Sequence, residues 1–170
     1  MTDPLTQYKL IVLYMLDRVD FSLTKAQIFD FILDKGYTNY FTLQQVVCEL
    51  IDSDLVSSKS VRNSSHLSIT EDGRSTLSYF GNRISTSIKD DVNVYFKDKE
   101  LDLRNEVSIQ STFYKTTGND YAAHLVAKEK KSDLLDITIT VPTEESASHI
   151  CENWQKKSQE IYAFLIEQLM

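Results

Sequence analysis

The chain has 170 residues, 42% of them hydrophobic and 11% aromatic, and its formal net charge is −7. This many apolar side chains can form a core, which excludes an intrinsically disordered chain, whereas no apolar run is long enough to span a bilayer. The acidic balance excludes nucleic-acid binding by the whole surface, so any polyanion site has to be local.

Two helices are predicted first. Asp3 and Pro4 suit the N-cap and the first position of a helix, because Pro lacks the N–H that this position leaves unpaired. The apolar residues that follow occupy more than one face, which predicts a helix buried on several sides. Thr24 and Gln27 fit a capping box for the second helix, and Gly36 is suited to end it.

A third helix and a hairpin follow. The helix begins after Asn39 or at Thr42, since both residues can cap it. Its apolar stripe consists of Leu43, Val46, Val47, Leu50 and Ile51. Residues 55–61 and 66–69 suit two strands, and residues 62–65 suit the polar turn between them.

The stretch LSITEDGRSTL, residues 67–77, changes from the period of a strand to that of a helix. Thr70 can cap this fourth helix, and the two acidic residues after it suit the positive end of the helix dipole. Gly73 lacks a Cβ atom where the start of the helix is expected to pack closely on the hairpin.

The same stretch resembles the strand-into-helix signature of bacterial winged-helix regulators of the PadR and MarR kind. Residues 50–56, LIDSDLV, resemble their junction between the third helix and the wing. The resemblance covers residues 1–85 and implies a winged helix-turn-helix DNA-binding domain there. The whole chain, including ICENW at residues 150–154, is similar to a domain-of-unknown-function family of small bacterial proteins with such an N-terminal domain.

Residues 86–105 are predicted to form a helix that links this domain to a second one. Their apolar positions recur at helical spacing among many charged residues. These positions are Ile88, Val92, Tyr95, Phe96 and Leu103.

Residues 106–170 are predicted to form a small two-layer βββα domain. Residues 107–113, 121–127 and 135–141 alternate apolar and polar side chains, which predicts an antiparallel meander with one buried face. Thr143 caps the final helix. The stripe of this helix that is expected to cover the sheet consists of Ala147, Ile150, Cys151, Trp154, Ser158, Ile161, Leu165 and Leu169. The predicted fold class is therefore α+β, with a winged domain, a linking helix and a domain for sensing or assembly.

Catalytic chemistry is not predicted. The four glycines are dispersed, so no phosphate-binding loop is formed, and the three histidines make no helical pair. Cys48 and Cys151 lie far apart without metal-ligand spacing, which favours ordinary thiols in a reduced, cytoplasmic protein. A redox-sensing role of Cys48 stays open. No enzyme, metal or cofactor is indicated, and no targeting segment is recognised.

The winged-helix resemblance implies a DNA interface at the start of the third helix. In such domains this helix enters the major groove with its N-terminal residues at the base edges. Gln can pair with adenine through two hydrogen bonds, and Thr can contact the methyl group of thymine. The second helix and the wing are expected to contact phosphates. The predicted DNA-binding residues are Lys25, Asn39, Tyr40, Thr42, Gln44, Gln45, Lys59, Arg62, Asn63 and Ser64.

The charge distribution leaves a second function open. The third helix contains no Lys or Arg and carries Glu49 and Asp52. The formal net charge is −2 over residues 1–86 and −5 over residues 87–170, so neither half is basic. A winged-helix protein-interaction module without DNA binding is therefore the alternative to a sequence-specific transcriptional regulator.

A regulator of this kind is expected to bind double-stranded DNA as a homodimer, since operators are commonly paired half-sites. The apolar stripe of the linking helix is one candidate dimer seam; the other interpretation is that it packs on its own C-terminal domain. The open face of the predicted sheet suits a partner or a small-molecule effector, or it simply faces water. Its residues are Gln110, Thr112, Tyr114, Ala122, His124, Val126, Asp136, Thr138 and Thr140.

Overall fold

A computed structural model describes residues 3–61, 63–129 and 132–170. These residues form a mixed α+β fold with six α-helices and two three-stranded antiparallel sheets, which confirms the α+β part of the predicted fold class. In chain order the elements are α1 (Pro4–Asp17), β1 (Leu23–Thr24), α2 (Lys25–Asp34), α3 (Tyr40–Asp52), β2 (Val56–Val61), β3 (Ser64–Ile69), α4 (Glu71–Phe80), a 3-10 helix (Gly81–Arg83), α5 (Thr86–Ser108), β4 (Ile109–Lys115), β5 (Tyr121–Glu129), β6 (Ser132–Val141) and α6 (Glu144–Leu169).

The chain divides into two compact units, of which the first ends at Arg104 and the second begins at Asn105. Each unit has its own cluster of buried hydrophobic residues. Residues 86–104 of α5, the helix predicted to link two domains, belong to the first unit.

The starts of α2 and α3 and the end of α2 lie at residues that favour such ends. Thr24 and Gln27 form a capping box in which each side chain accepts from the other residue's backbone N–H. Gly36 follows α2 with a φ of +69°, a left-handed conformation that suits glycine after a helix. The Oδ1 atom of Asn39 accepts from the Thr42 amide at 2.9 Å. Asn39 is therefore the cap of α3, and Thr42, the other candidate, lies in its first turn.

Helix α1 is buried on several faces, as its apolar pattern predicts. Its buried residues are Leu10, Ile11, Val12, Leu13, Met15 and Leu16. They form the core of the first unit together with the stripe of α3, of which Leu43, Val46, Val47 and Leu50 are buried. Because burial of one large aliphatic side chain contributes about 1.5–3 kcal/mol, this packing fixes where the exposed face of α3 lies.

The first sheet has the strand order β1-β3-β2, and both pairs are antiparallel. Strand β1 was not predicted, because two residues are too few to show a period. It pairs Leu23 with Leu67 and Thr24 with His66. This pairing attaches the hairpin of β2 and β3 to the chain just before α2.

The hairpin loop is shorter than the predicted turn at residues 62–65. Ser64 and Ser65 lie in β3, where Ser64 pairs with Val61, so the second half of that turn prediction is wrong. Serine has little strand propensity, yet backbone pairing continues past these residues. Asn63 has a φ of +62°, which asparagine tolerates better than most residues, and this conformation permits a tight loop.

Helix α4 approaches the hairpin closely at Gly73. Thr70 caps the helix, as predicted, by accepting from the Gly73 amide at 3.0 Å, and its hydroxyl donates to the Asp54 carbonyl at 2.7 Å. A Cβ atom on Gly73 would lie 2.2 Å from the carbonyl oxygen of Leu55. Only glycine fits this position without a shift of the backbone.

The apolar stripe of α5 lies in the core of the first unit. Val92 and Phe96 are buried there, and Ile88 and Tyr95 pack against the same cluster. The ring of Tyr95 lies 4.7 Å from that of Phe31 in α2. The prediction that this stripe is a dimer seam is therefore wrong, and so is the interpretation that it packs on the C-terminal domain. Spacing along a helix indicates which face is buried but not which element covers it.

The second sheet has the order β4-β5-β6, and α6 covers one of its faces. Ala123, Leu125 and Ala127 of β5 form the buried cluster with Cys151 and Trp154 of α6, as the two stripes predict. The partly buried residues around them are Ile109, Phe113, Leu135, Ile137, Ile150 and Ile161.

Two boundaries of this unit differ from the prediction. Val107, predicted to begin the first strand, lies in α5, and β4 begins at Ile109. Leu165 and Leu169, predicted to cover the sheet, lie outside the buried cluster, and Leu169 is exposed. Helix α6 has 26 residues, each adding about 1.5 Å, whereas strand β6 has ten residues, each adding about 3.3 Å. The helix is therefore longer than the strand, and its last residues extend beyond the sheet.

The face of the second sheet away from α6, called the open face below, is not uniformly exposed. Ala122 and Val126, which were predicted to be part of a partner surface, are buried. They lie on the central strand, where Ala122 pairs with Tyr114 on one side and Thr140 on the other. Their burial removes these two residues from the predicted partner surface.

Candidate nucleic-acid interface

The first turn of α3 carries the predicted DNA-binding residues Tyr40 and Thr42, directly after Asn39. The Oδ1 atom of Asn39 is engaged in the cap, Thr42 is half-buried, and Tyr40 is 53% exposed. This turn contains no acidic residue. The positive end of the α3 dipole is therefore not compensated within its own first turn.

An aromatic patch, defined as Phe29, Tyr40 and Phe41, lies where α2 and α3 meet. The Phe29 and Tyr40 rings are 5.3 Å apart, and the Tyr40 and Phe41 rings are 5.9 Å apart, both in edge-to-face geometry. The ammonium of Lys25 lies 5.3 Å from the centre of the Phe29 ring. These contacts bring two predicted residues from different helices, Lys25 and Tyr40, to the same patch.

Gln45 is exposed on the face of α3 opposite its apolar stripe. Its side-chain amide donates to Glu49 at 2.8 Å, and Glu49 also forms an ion pair of 2.5 Å with Lys9 of α1. The hydrogen bonds from Lys9 and then from Gln45 hold the pKa of the Glu49 carboxyl below its ordinary value. Glu49 is thus ionised at neutral pH but has a cationic partner, which reduces the negative field on this face of α3.

Gln44 is less exposed than its position in the helix predicted. It is half-buried, and its Oε1 atom is buried with no hydrogen-bond partner among the described residues. Its amide nitrogen lies 3.9 Å from the sulfur of Cys48. Of the two adjacent glutamines, Gln45 is the more exposed.

The hairpin forms the second group of predicted residues. Lys59 in β2, Asn63 in the loop and Ser64 in β3 are all exposed. Arg62, predicted to contact phosphates, lies outside the described residues. The hairpin thus presents one described cation, Lys59, among short polar side chains.

Polar contacts join α5 to the helices next to the candidate interface. The hydroxyl of Tyr37, after α2, donates to Asp91 at 2.5 Å, and the ammonium of Lys35 lies 3.9 Å from the same carboxylate. Burial, together with this hydrogen bond, raises the pKa of the Tyr37 phenol above its ordinary value. Tyr14 of α1 donates to Asn93 at 3.2 Å. The end of α2, directly before α3, is therefore held by α5 as well as by the apolar core.

Other residues that could perform chemistry are dispersed among the described parts of the chain. His124 and Asp136 are 2.6 Å apart on the open face of the second sheet, and both are partly exposed. Within residues 3–61, 63–129 and 132–170, no three His, Cys, Asp or Glu residues are grouped to hold a metal ion. Cys48 is exposed and Cys151 is buried. None of the described helices is long and apolar enough to cross a membrane.

Phe41 is the surface residue that the sequence analysis missed. Its side chain is 83% exposed at the second position of α3. A helical wheel would have found it, because Phe41 lies opposite the apolar stripe and one turn before Gln45. An aromatic residue on the polar face of an amphipathic helix indicates an exposed ring that could bind a partner.

Comparison with known protein families identified one family that this chain matches. A family model described as "Domain of unknown function (DUF4364)" matches residues 8–169. Neither the curated proteins nor the solved structures contained a match.

Proposed function

The chain belongs to the DUF4364 family, and we propose that this member is a sequence-specific DNA-binding transcriptional regulator. In this proposal the elements from α1 to α4 form a winged helix-turn-helix, α3 enters the major groove, and the hairpin of β2 and β3 is the wing. The observation that carries the proposal is the first turn of α3, where Tyr40 and Phe41 are exposed, in a unit whose hairpin carries an exposed cation at Lys59.

The topology supports this interpretation. The helix α2 is followed by α3 and then directly by the hairpin, which pairs with β1 in the order β1-β3-β2. This pairing anchors the hairpin beside the helix pair instead of leaving it free. A helix-turn-helix needs a rigid second helix, because the N-terminal residues of that helix contact base edges.

The charges on and near α3 support the DNA-binding proposal in part. No acidic residue lies in the first turn of α3, so no carboxylate there competes with a phosphate, although the Thr42 amide is engaged by Asn39. The ion pair with Lys9 compensates Glu49 further along the helix. Because α3 itself has no Lys or Arg, most of the phosphate contacts in this proposal come from α2 and the hairpin, through Lys25, Lys59 and Arg62.

Replacing Gln44 and Gln45 together with alanine is expected to relax the base preference of the protein. If Gln45 forms a bidentate contact with adenine, its loss costs about 1–3 kcal/mol against the preferred duplex and little against other duplexes. The measurement is a gel shift of the full-length protein with DNA flanking its own gene and with random-sequence duplexes.

The single variants refine this test. Gln45→Ala should reproduce the double variant, whereas Gln44→Ala should keep the base preference, since the Gln44 side chain is half-buried. An unaltered preference in the double variant would remove both glutamines from sequence readout. Absence of any shift with any duplex would contradict the proposed function itself.

A protein-interaction module is the second candidate, and the aromatic patch favours it. Phe41 is 83% exposed and Tyr40 53% exposed, on a helix without Lys or Arg. Aromatic residues are enriched at the centres of protein interfaces, whereas α3 in a DNA-binding protein more often carries a cation. This candidate predicts that no duplex is retained at physiological salt.

We also propose that the regulator acts as a homodimer and that the second unit contributes assembly or effector sensing. The open face of the second sheet is the candidate effector surface, with Ala122 and Val126 excluded because they are buried. Light scattering at micromolar concentration is expected to give the mass of two chains. The mass of one chain, both alone and with a bound duplex, would contradict the dimer.

A further inference from the structure

Phe41 is an exposed apolar side chain held in a defined position. Its ring packs edge-to-face on Tyr40 at 5.9 Å, and Tyr40 packs in the same manner on Phe29 at 5.3 Å. Phe29 is only 5% exposed, so the row of rings is anchored in the core. A ring that is both exposed and ordered by its neighbours loses little conformational entropy when it binds.

The residues that share this face of α3 restrict which bases it can read. Gln45 lies four residues after Phe41, so the two side chains are neighbours on the helix surface. The helix has no Lys or Arg, the side chains that most often read guanine. Gln favours adenine, and an apolar side chain favours the 5-methyl group of thymine.

We propose that α3 recognises A·T base pairs, with the ring of Phe41 against a thymine methyl group and Gln45 against an adenine. This inference rests on the proposed DNA-binding function and names the bases that the same site selects. The first and second turns of α3 hold Phe41 and Gln45, which is the part of a recognition helix that contacts base edges. In this proposal the Phe41 ring contacts a thymine methyl group in the major groove.

The test begins with selection of duplexes from a random-sequence library by the full-length protein. We expect the enriched duplexes to have A·T pairs at certain positions. At these positions the variants Phe41→Ala and Gln45→Ala should lose the base preference of the wild-type protein. Thymine in one enriched duplex is then replaced, one position at a time, by deoxyuridine, which differs only by the missing methyl group. At the contacted position the wild-type protein should bind about fourfold more weakly, as expected for one buried methyl group.

Two variants test whether the loss of affinity for the deoxyuridine duplex depends on the Phe41 ring. Phe41→Ala should bind the thymine and deoxyuridine duplexes equally, because it lacks the ring. Tyr79→Ala is the matched control, since Tyr79 in α4 is 79% exposed but lies outside α3, and it should keep the fourfold difference. Unchanged melting temperatures of both variants would establish that neither substitution unfolds the chain.

The outcomes separate this inference from the function on which it rests. Enrichment of G·C pairs at the positions sensitive to Phe41 and Gln45, or a deoxyuridine effect that persists in Phe41→Ala, would overturn the inference and leave DNA binding intact. If the library yields no enriched duplex, sequence-specific DNA binding and the inference both fail, and the exposed ring is then assigned to a protein partner.

Discussion

Replacement of Trp154 with alanine is expected to destabilise the second unit by about 3–5 kcal/mol, the usual cost of deleting a buried tryptophan. Its side chain is 1% exposed and lies in the cluster that joins α6 to the sheet. Its indole N–H donates to the carbonyl of Val126 at 3.2 Å. The variant loses apolar burial, creates a cavity and removes a buried hydrogen-bond donor, and these effects have the same sign.

Hydrogen exchange of the full-length protein measures this loss, because the two units need not unfold together. The amides of β4, β5 and β6 should lose protection in the variant, whereas those of α1 and α3 should keep theirs. Phe164→Ala on the same helix is the control, since Phe164 is 59% exposed and its loss should cost no more than about 0.5 kcal/mol. Equal protection of the sheet in the wild type and Trp154→Ala would contradict the described packing.

Gly73→Ala is the second substitution with a large expected effect. Alanine is favoured over glycine inside a helix by about 1 kcal/mol, so propensity alone predicts stabilisation. The new Cβ atom would, however, lie 2.2 Å from the carbonyl oxygen of Leu55. That oxygen already accepts from the Thr70 amide at 3.1 Å, so it cannot move without weakening the junction between the hairpin and α4. We expect a net loss of about 1–3 kcal/mol.

Gly81→Ala is the matched control for this prediction. A Cβ atom on Gly81 would meet only the Leu77 side chain, at 3.4 Å, which is ordinary contact. The control should therefore be neutral or slightly stabilising. Denaturant unfolding monitored by circular dichroism compares the two variants. A Gly73→Ala chain as stable as Gly81→Ala would mean that α4 does not approach the hairpin as described.

Local signals predicted most of the elements. Capping residues such as Thr24 and Thr70 fix helix starts because their side chains satisfy N–H groups that have no partner in the helix. The alternating pattern of residues 121–127 predicted β5, since strand side chains point to opposite faces in turn. The failures have a different origin. Strand β1 depends on a partner strand much later along the chain, since Leu23 pairs with Leu67 and Thr24 with His66, and it has no period of its own.

The environment of each helix face could not be read from spacing alone. The stripe of Val92 and Phe96 predicted a buried face, but only the fold assigns that face to the core of the first unit. Gln44 and Gln45 are adjacent in sequence, yet one is half-buried and the other is exposed. Phe41 could have been identified from its position opposite the stripe, whereas its edge contact with Tyr40 required the structure.

The dissociation constant of the full-length protein for a selected duplex, measured as a function of salt concentration, tests DNA binding by the first unit most directly. We expect a linear log–log dependence whose slope falls by about 0.9 in Lys59→Ala, since one phosphate contact is lost. Lys115→Ala, an exposed lysine in β4 of the second unit, should leave the slope unchanged. Binding without salt dependence, or an equal loss of slope in the two variants, would contradict a DNA interface formed by α3 and the hairpin.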